Sequence, residues 1–388
     1  MQPSLIFSLF VIFTGAAVLA TLALYARQAL PVAYIVLGVC IGPFGAGWLA
    51  DPVIVSQLSE VGIIFLLFLL GLDLAPRELV SMLRKATLVT LASSAGFALI
   101  GMGVAMMAGF DVGSALLIGA AMTFSSTIIG LKLLPTTVLH HQHTGEIIVS
   151  ILLLQDLLAI ALLVLLKGFA GEGDLVERLA MLALGLPVLL ALTFLIERYV
   201  LIRLIRRFNK IREYIFLMAI GWCLCVAEVA TLFGLSHEIG AFIAGVSLAT
   251  NPIALYIADS LKPLRDFFLV LFFVSLGAGV DLGVVLEVLL PAAALAVLLL
   301  MAKPAFFQGL LRLTGEPPAL ALEVGVRLGQ VSEFALLIAV LAMDNGVLAP
   351  RGAYLIQTTA VLTFVVSTYW IVLRYPTPVA VSDRLRRD

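Results

Sequence analysis

The chain alternates long apolar runs with short polar breaks. Apolar runs at 5–24, 30–49, 53–73, 85–109, 113–135, 144–167, 179–202, 213–235, 237–257, 264–280, 284–311, 320–343 and 352–373 are separated by Pro, Gly or polar and charged residues. A helix needs about twenty apolar residues to cross a bilayer. The pattern therefore predicts an all-α polytopic membrane protein with about thirteen transmembrane helices. The boundary near Gly234-Leu235-Ser236-His237 is the least marked of the set. The first run, 5–24, has no positive charge before it and is too long for a signal-peptide core, so it reads as the first span.

Composition agrees with that class. Apolar residues make up 62% of the 388, charged residues 12%, and the mean hydropathy is +1.17. A soluble domain is roughly half apolar and about a quarter charged, so this chain would have nowhere to place its surface in water. The net charge of −1 gives no electrostatic case for a nucleic-acid partner. Cys40, Cys223 and Cys225 lie in apolar stretches without metal-ligand spacing and read as small core residues. No nucleophile elbow, paired-histidine metal motif or phosphate loop is present, which argues against an enzyme. No cofactor is expected.

Charge sets the direction. Cytoplasmic loops are enriched in Lys and Arg. With the C-terminal arginines placed inside, alternate loops on that side hold nearly all of the 23 basic residues. Only Lys167, Arg178 and Arg351 face the other side, while Lys303 and Arg327 fall within spans. This predicts an odd number of spans, the N-terminus outside and the C-terminus in the cytoplasm. The most basic connection, Arg203 to Arg212, reads first as an orientation signal and second as a site for anionic lipid.

Charges inside the membrane carry the functional signal, because each is costly there and is usually paired. Asp156 sits mid-span in Leu152-Leu153-Leu154-Gln155-Asp156-Leu157-Leu158. Lys303, Arg327, Glu333 and Glu228 are the other candidates, Glu228 equally as a packing or interface residue. Two spans also carry breaks. The fifth reads Thr123-Phe124-Ser125-Ser126-Thr127, the twelfth Arg327-Leu328-Gly329-Gln330-Val331-Ser332-Glu333. Freed backbone in a span is tolerated where it lines a cavity. The offset of seven spans reverses direction, which an inverted-repeat transporter requires. The plainer reading, hydroxyls bonding back to their own helices, accounts less well for two clusters beside one buried Asp.

These residues resemble the monovalent cation:proton antiporter-2 family, most closely its Kef-type potassium:proton antiporters. The carrying stretches are Ser125-Ser126-Thr127 and Gln155-Asp156, supported by Gly62 to Leu74, Ile239 to Gly245, Leu271 to Gly277 and Gln330 to Phe334. The resemblance implies a sodium/proton-antiporter-like fold of inverted repeats with two broken helices. It implies scaffold and dimerisation helices at about 5–73 and 179–280, an ion-carrying core at about 85–167 and 284–373, a homodimer, a bacterial inner membrane and elevator-type alternating access. It assigns cation and proton binding to Asp156, with Gln155, Ser125, Ser126 and Thr127 around it, and supporting roles to Lys303, Glu333, Gln330 and Arg327. Gln155 stands where electrogenic sodium antiporters of the family carry a second Asp, and Gln there is typical of the potassium-linked branch. Kef antiporters carry a C-terminal nucleotide-binding regulatory domain. This chain ends at Asp388 without one, being either naturally short or cut, so glutathione gating cannot be claimed for this polypeptide.

The implied chemistry is competition at one carboxylate. A nearby cation favours ionised Asp156, and burial favours the protonated acid. Neutral oxygens would replace the shell of a hard cation. The transported ion is potassium by this reading, with sodium or lithium exchange, a potassium channel without proton coupling, and a non-transporting sensor as alternatives. His140, His141 and His143 lie in a cytoplasmic loop. They titrate in the range of a pH sensor, though an exposed polar loop explains them more simply.

Overall fold

A computed structural model describes residues 5–49, 52–73, 76–135, 143–169, 175–208 and 211–378. Helices account for the described spans. In chain order they are α1 (Leu5–Tyr25), α2 (Leu30–Ile41), α3 (Pro52–Asp73), α4 (Pro76–Met107), α5 (Val112–Ala121), α6 (Thr127–Lys132), α7 (His143–Phe169), α8 (Leu175–Ile196), α9 (Ile202–Arg207), α10 (Arg212–Leu232), α11 (His237–Ala249), α12 (Ile253–Ala278), α13 (Leu282–Leu313), α14 (Pro318–Arg327), α15 (Glu333–Asp344) and α16 (Pro350–Arg374). A short π-helical segment, Glu197–Leu201, joins α8 to α9. Each of the thirteen predicted spans overlaps a helix or a helix pair, but α2 and α11 end at Ile41 and Ala249, short of the predicted 49 and 257, and α12 begins at Ile253, inside the predicted ninth span. The predicted fifth and twelfth spans are the pairs α5/α6 and α14/α15. Six of the described helices are long and apolar enough to cross a membrane unaided.

Local chemistry sets several helix ends. Asp111 accepts from the Ser114 amide and starts α5. Asp281 accepts from the Gly283 amide and starts α13. Proline stands in the first turn of α2, α14 and α16, where its missing N–H costs nothing.

The chain forms two compact units. The first comprises Met1–Ser8, Leu49–Ser81 and Ile160–Leu276. Within it α3 lies against α11, and α11 against α10. Gly71 and Gly245 let the α3 and α11 backbones touch, since a Cβ on Gly71 would sit 2.8 Å from the Val246 nitrogen. Phe65, Phe68, Trp222 and Ile243 fill the core around that contact. Small residues at such crossings replace the hydrophobic drive that lipid removes. Glu228, a candidate from the sequence, is here an exposed residue near the end of α10, paired with His237 at 3.1 Å.

The second unit comprises Leu9–Trp48, Met82–Ala159 and Gly277–Asp388. It contains both broken helices. α13 packs along α16 and α14, and α15 along α16. Gly101 of α4 meets Gly119 of α5, where a Cβ would lie 2.8 Å from the facing Cα. Gly325 of α14 approaches Pro304 of α13 equally closely, at 2.7 Å to Cα. That second contact brings the α13 backbone beside the break in α14/α15, at the turn that carries Lys303.

Candidate functional site

The two breaks are built alike. Residues 122–126 separate α5 from α6, and residues 328–332 separate α14 from α15. In each, a serine restarts the helix. Ser126 Oγ accepts from the Ile129 amide at 3.1 Å. Ser332 Oγ accepts from the Phe334 amide at 3.0 Å. These hydroxyls satisfy backbone donors that a helix start leaves open. The acidic positions follow the same plan: Glu333 is the first residue of α15, and Asp156, from α7, meets the first residue of α6. Thr127 Oγ1 donates to Asp156 Oδ2 at 3.1 Å and lies 3.3 Å from Oδ1. Helix N-termini carry partial positive charge, so a carboxylate is well placed at each.

Asp156 is fully buried, as are Ser125, Gln155, Lys303, Gln330 and Ser332, and Glu333 is 4% exposed. The Glu333 carboxylate is within electrostatic reach of Asp156. Two acids and one ammonium thus share a site closed to solvent. Such a group of charges persists only when each is paired or compensated.

Lys303 crosses both breaks. Its Nζ donates to the Phe124 carbonyl at 2.8 Å, the Gln330 carbonyl at 3.0 Å and Ser125 Oγ at 3.3 Å. Three acceptors match the three donors of an ammonium. Both carbonyls lie just past the C-terminal ends of the first half-helices, α5 and α14, where the dipole is negative. The ammonium also lies 5.3 Å from the Phe97 ring centroid. Ser125 Oγ in turn donates to the Leu328 carbonyl at 2.9 Å, tying one break to the other.

The two glutamines brace the unwound backbone. Gln155 Oε1 accepts from the Ser125 amide at 2.9 Å, and its Nε2 donates to the Thr123 carbonyl at 3.2 Å. Both ends of this amide are spent on one break. Gln330 Nε2 reaches the Ser126 carbonyl at 3.4 Å, and Gln330 Oε1 accepts from Ser367 at 2.9 Å. Thr363 Oγ1 accepts from the Val331 amide at 3.0 Å. In lipid, freed backbone groups need partners of this kind.

The structure therefore brings Asp156, Gln155, Ser125, Ser126, Thr127, Lys303, Gln330 and Glu333 into one cluster. Arg327 stands apart from it. It is 1% exposed and pairs with Glu323 at 2.9 Å. It also donates to the Leu133 carbonyl at 3.1 Å and the Pro376 carbonyl at 3.0 Å, with the Tyr375 ring 5.4 Å away. It clamps the far end of α6, not the break. Thr363 and Ser367, absent from the sequence expectation, belong to the cluster. Their signal was present: with Thr359 they recur every fourth residue and form one buried polar stripe on α16. Of the loop histidines, His140 and His141 lie outside the described residues. His143 is the first residue of α7 and not part of a loop; it contacts Glu146 at 3.3 Å and Glu316 at 3.1 Å.

A family model described as "Sodium/hydrogen exchanger, transmembrane" matches residues 9–373. YbaL of Escherichia coli (strain K12), named as a proposed cation/proton antiporter, is 30% identical over 349 residues. The match covers 87% of this chain and 62% of that relative, so the chain spans about three fifths of its length. The solved structure of the sodium proton antiporter MjNhaP1 from Methanocaldococcus jannaschii superposes with a TM-score of 0.70 at 16% identity, covering 94% of this chain and 95% of that one. At that identity the match concerns the fold.

Proposed function

The chain belongs to the sodium/hydrogen exchanger family, and from that premise we propose that it exchanges a monovalent cation, potassium first, for a proton. The observation that carries the reading is Asp156: fully buried, bonded to Thr127 at the start of α6, and in electrostatic reach of Glu333.

Charge balance supplies the coupling. With Lys303 charged and both acids bare, the cluster carries one net negative charge. One potassium ion or one proton neutralises it. The loaded site crosses the hydrophobic barrier of an alternating-access step, whereas the bare site pays the cost of an uncompensated charge in hydrocarbon. Two ions that relieve the same charge compete for it, and that competition is exchange.

Gln155 supports potassium. Its amide is neutral and engaged with backbone at both ends, so Asp156 faces the ion with Thr127 and freed carbonyls. A site of few strong-field oxygens suits the more easily dehydrated cation. The setting that fits is a bacterial inner membrane with the N-terminus outside and the C-terminus in the cytoplasm, following the basic loops. We assign the helices at about 85–167 and 284–373, which hold both breaks, to the moving, ion-carrying core of an elevator, and the helices at about 5–73 and 179–280 to the scaffold of a homodimer.

The test is dye dequenching in proteoliposomes after pulses of potassium, sodium or lithium. Potassium-dependent proton movement by the parent, absent in Asp156→Asn, is the expected result. Full exchange by Asp156→Asn refutes the site. A response confined to sodium or lithium transfers the reading to those ions, and potassium current without proton movement replaces exchange with a channel.

A further inference from the structure

The connection between α8 and α10 carries the strongest unassigned charge on the molecule. Arg203, Arg206, Arg207 and Arg212 are all exposed. Lys210, between them in sequence, lies outside the described residues. Among the described residues none of the four arginines makes an ion pair, and Glu213 is the one acid exposed beside them. Two other basic residues of the same unit are neutralised locally: Lys262 pairs with Asp259 at 2.7 Å, and Arg265 with Asp266 at 2.9 Å. The arginine turn thus carries four exposed cations beside one exposed acid, whereas Lys262 and Arg265 are each paired.

The turn is also held in place. Leu201, Ile202 and Ile205 are buried in the core of the first unit and anchor α9. The opposite face of α9 carries Arg203, Arg206 and Arg207. The π-helical segment just before it adds a residue to the turn and so sets the angle at which those arginines leave the helix. Apolar side chains are interleaved with them in the open: Tyr199 is 51% exposed, Phe208 39% and Ile211 48%. Arg203 sits 5.7 Å from the Tyr199 ring centroid and Arg207 6.0 Å from that of Phe208. Cations paired with half-exposed aromatics at the end of a membrane helix match the polar–apolar boundary of a leaflet, where phosphate meets acyl chain.

We propose that this turn is a docking surface for an anionic phospholipid, the arginines taking its phosphate and Tyr199, Phe208 and Ile211 lying against the top of its acyl chains. Arginine suits this task because its fork pairs with phosphate oxygens two at a time. The inference goes beyond the exchange reading and does not rest on it; it needs only that the chain spans a membrane. The lipid would be a fixed neighbour of the first unit and would stabilise the protein in proportion to its supply.

The test is native mass spectrometry of the purified full chain titrated with phosphatidylglycerol, phosphatidylcholine or inorganic phosphate. Phosphatidylglycerol should bind in preference to phosphatidylcholine, and less tightly as salt is raised. Each arginine at an anionic surface is worth about fivefold in affinity. Arg203→Gln should therefore weaken phosphatidylglycerol binding about fivefold, and Arg206→Gln with Arg207→Gln roughly 25-fold. Lys262→Gln with Arg265→Gln should bind as the parent does. Side chains this exposed leave the fold intact, and a monodisperse elution profile checks it. Equal binding of the two lipids overturns the proposal. So does parental affinity in the double arginine variant, or an equal loss in the Lys262/Arg265 control. Displacement of phosphatidylglycerol by millimolar phosphate also overturns it, by assigning the turn to a free anion.

Discussion

Replacing Gln155 by leucine separates two roles that transport alone confuses, ion ligand and backbone brace. The side chain is fully buried. It accepts from the Ser125 amide and donates to the Thr123 carbonyl, both in the unwound stretch between α5 and α6. Leucine of similar volume leaves both groups without a partner. A buried orphan costs about 1–3 kcal/mol, so two cost about 2–6 kcal/mol. At roughly 2–4 °C per kcal/mol for a large domain, melting should fall by roughly 4–24 °C. Gln155→Glu keeps the acceptor for Ser125 and should melt closer to the parent. It also adds a second acid beside Asp156. The bare cluster then carries two net negative charges, and neutrality needs one more positive ion per cycle. The assay is thermal stability by fluorescence-detected size exclusion, beside solid-supported-membrane current in the same preparations. Gln155→Leu that melts with the parent but no longer exchanges ions refutes the brace and makes Gln155 a ligand. Gln155→Glu that exchanges without current refutes the charge count.

Further outcomes follow from the same geometry. Thr127→Val removes the hydrogen bond from Thr127 Oγ1 to Asp156 and should raise the cation KM severalfold in proteoliposomes while the protein still folds; an unchanged KM removes Thr127 from the site. Lys303→Met strands the Phe124 and Gln330 carbonyls, whose bonds to a charged donor are worth about 1.5–3 kcal/mol each, and should lower the melting temperature more than Thr127→Val does. Ser367→Ala releases Gln330 Oε1 and should slow exchange without moving the stoichiometry measured by reversal potential. Hydrogen bonds from Ser114 hold the exposed Asp111 carboxyl below its usual range. Its contribution to the start of α5 is therefore present above the ordinary Asp pKa and lost as pH falls through the lowered one. Amide exchange at residues 112–115 should accelerate in Asp111→Ala at neutral pH, and the difference should vanish in strong acid.

Much of the fold and part of the site could be read from residue order, and the boundary between them is physical. Hydropathy locates crossings because lipid admits no polar backbone, so each crossing must be a continuous apolar run or a break with its own polar partners. That is why Ser125-Ser126-Thr127 and Gly329-Gln330-Val331-Ser332 stood out, and why Asp156 did. Partnership across the chain is a different matter. Lys303 and Arg327 look alike in sequence, each a basic residue in an apolar helix. Only the crossing of α13 over both breaks tells them apart: Lys303 bonds to Ser125, 178 positions away, while Arg327 turns to Leu133 and Pro376. The acceptors in question are mostly main-chain carbonyls, which every residue carries and no motif marks. Glu228, read equally as a packing or interface residue, sits near the end of α10, exposed and paired with His237.

The duplication of the break explains why one lysine suffices. The two breaks bring both negative C-terminal ends, at Phe124 and Gln330, to one lysine and set an acid at each positive N-terminal end. Lys303 answers the first pair through the Phe124 and Gln330 carbonyls. Asp156, through Thr127, and Glu333, as the first residue of α15, answer the second. The dipoles are thereby answered by one ammonium and two acids, and under the proposed exchange the surplus acid charge is what a transported ion would meet. A single break would need one counter-charge at each end and would leave no surplus. The odd acid, and with it the proposed capacity to trade a proton for a cation, follows from folding two half-helix pairs around a shared ammonium. Moving that ammonium tests the idea. Lys303→Gln with a new lysine at Gln330 should restore stability, because the charge remains at the crossing. It should not restore exchange, because Ser126 and Ser367 then lose the amide that joins them. Recovery of exchange without recovery of stability would reverse the order of cause argued for this site.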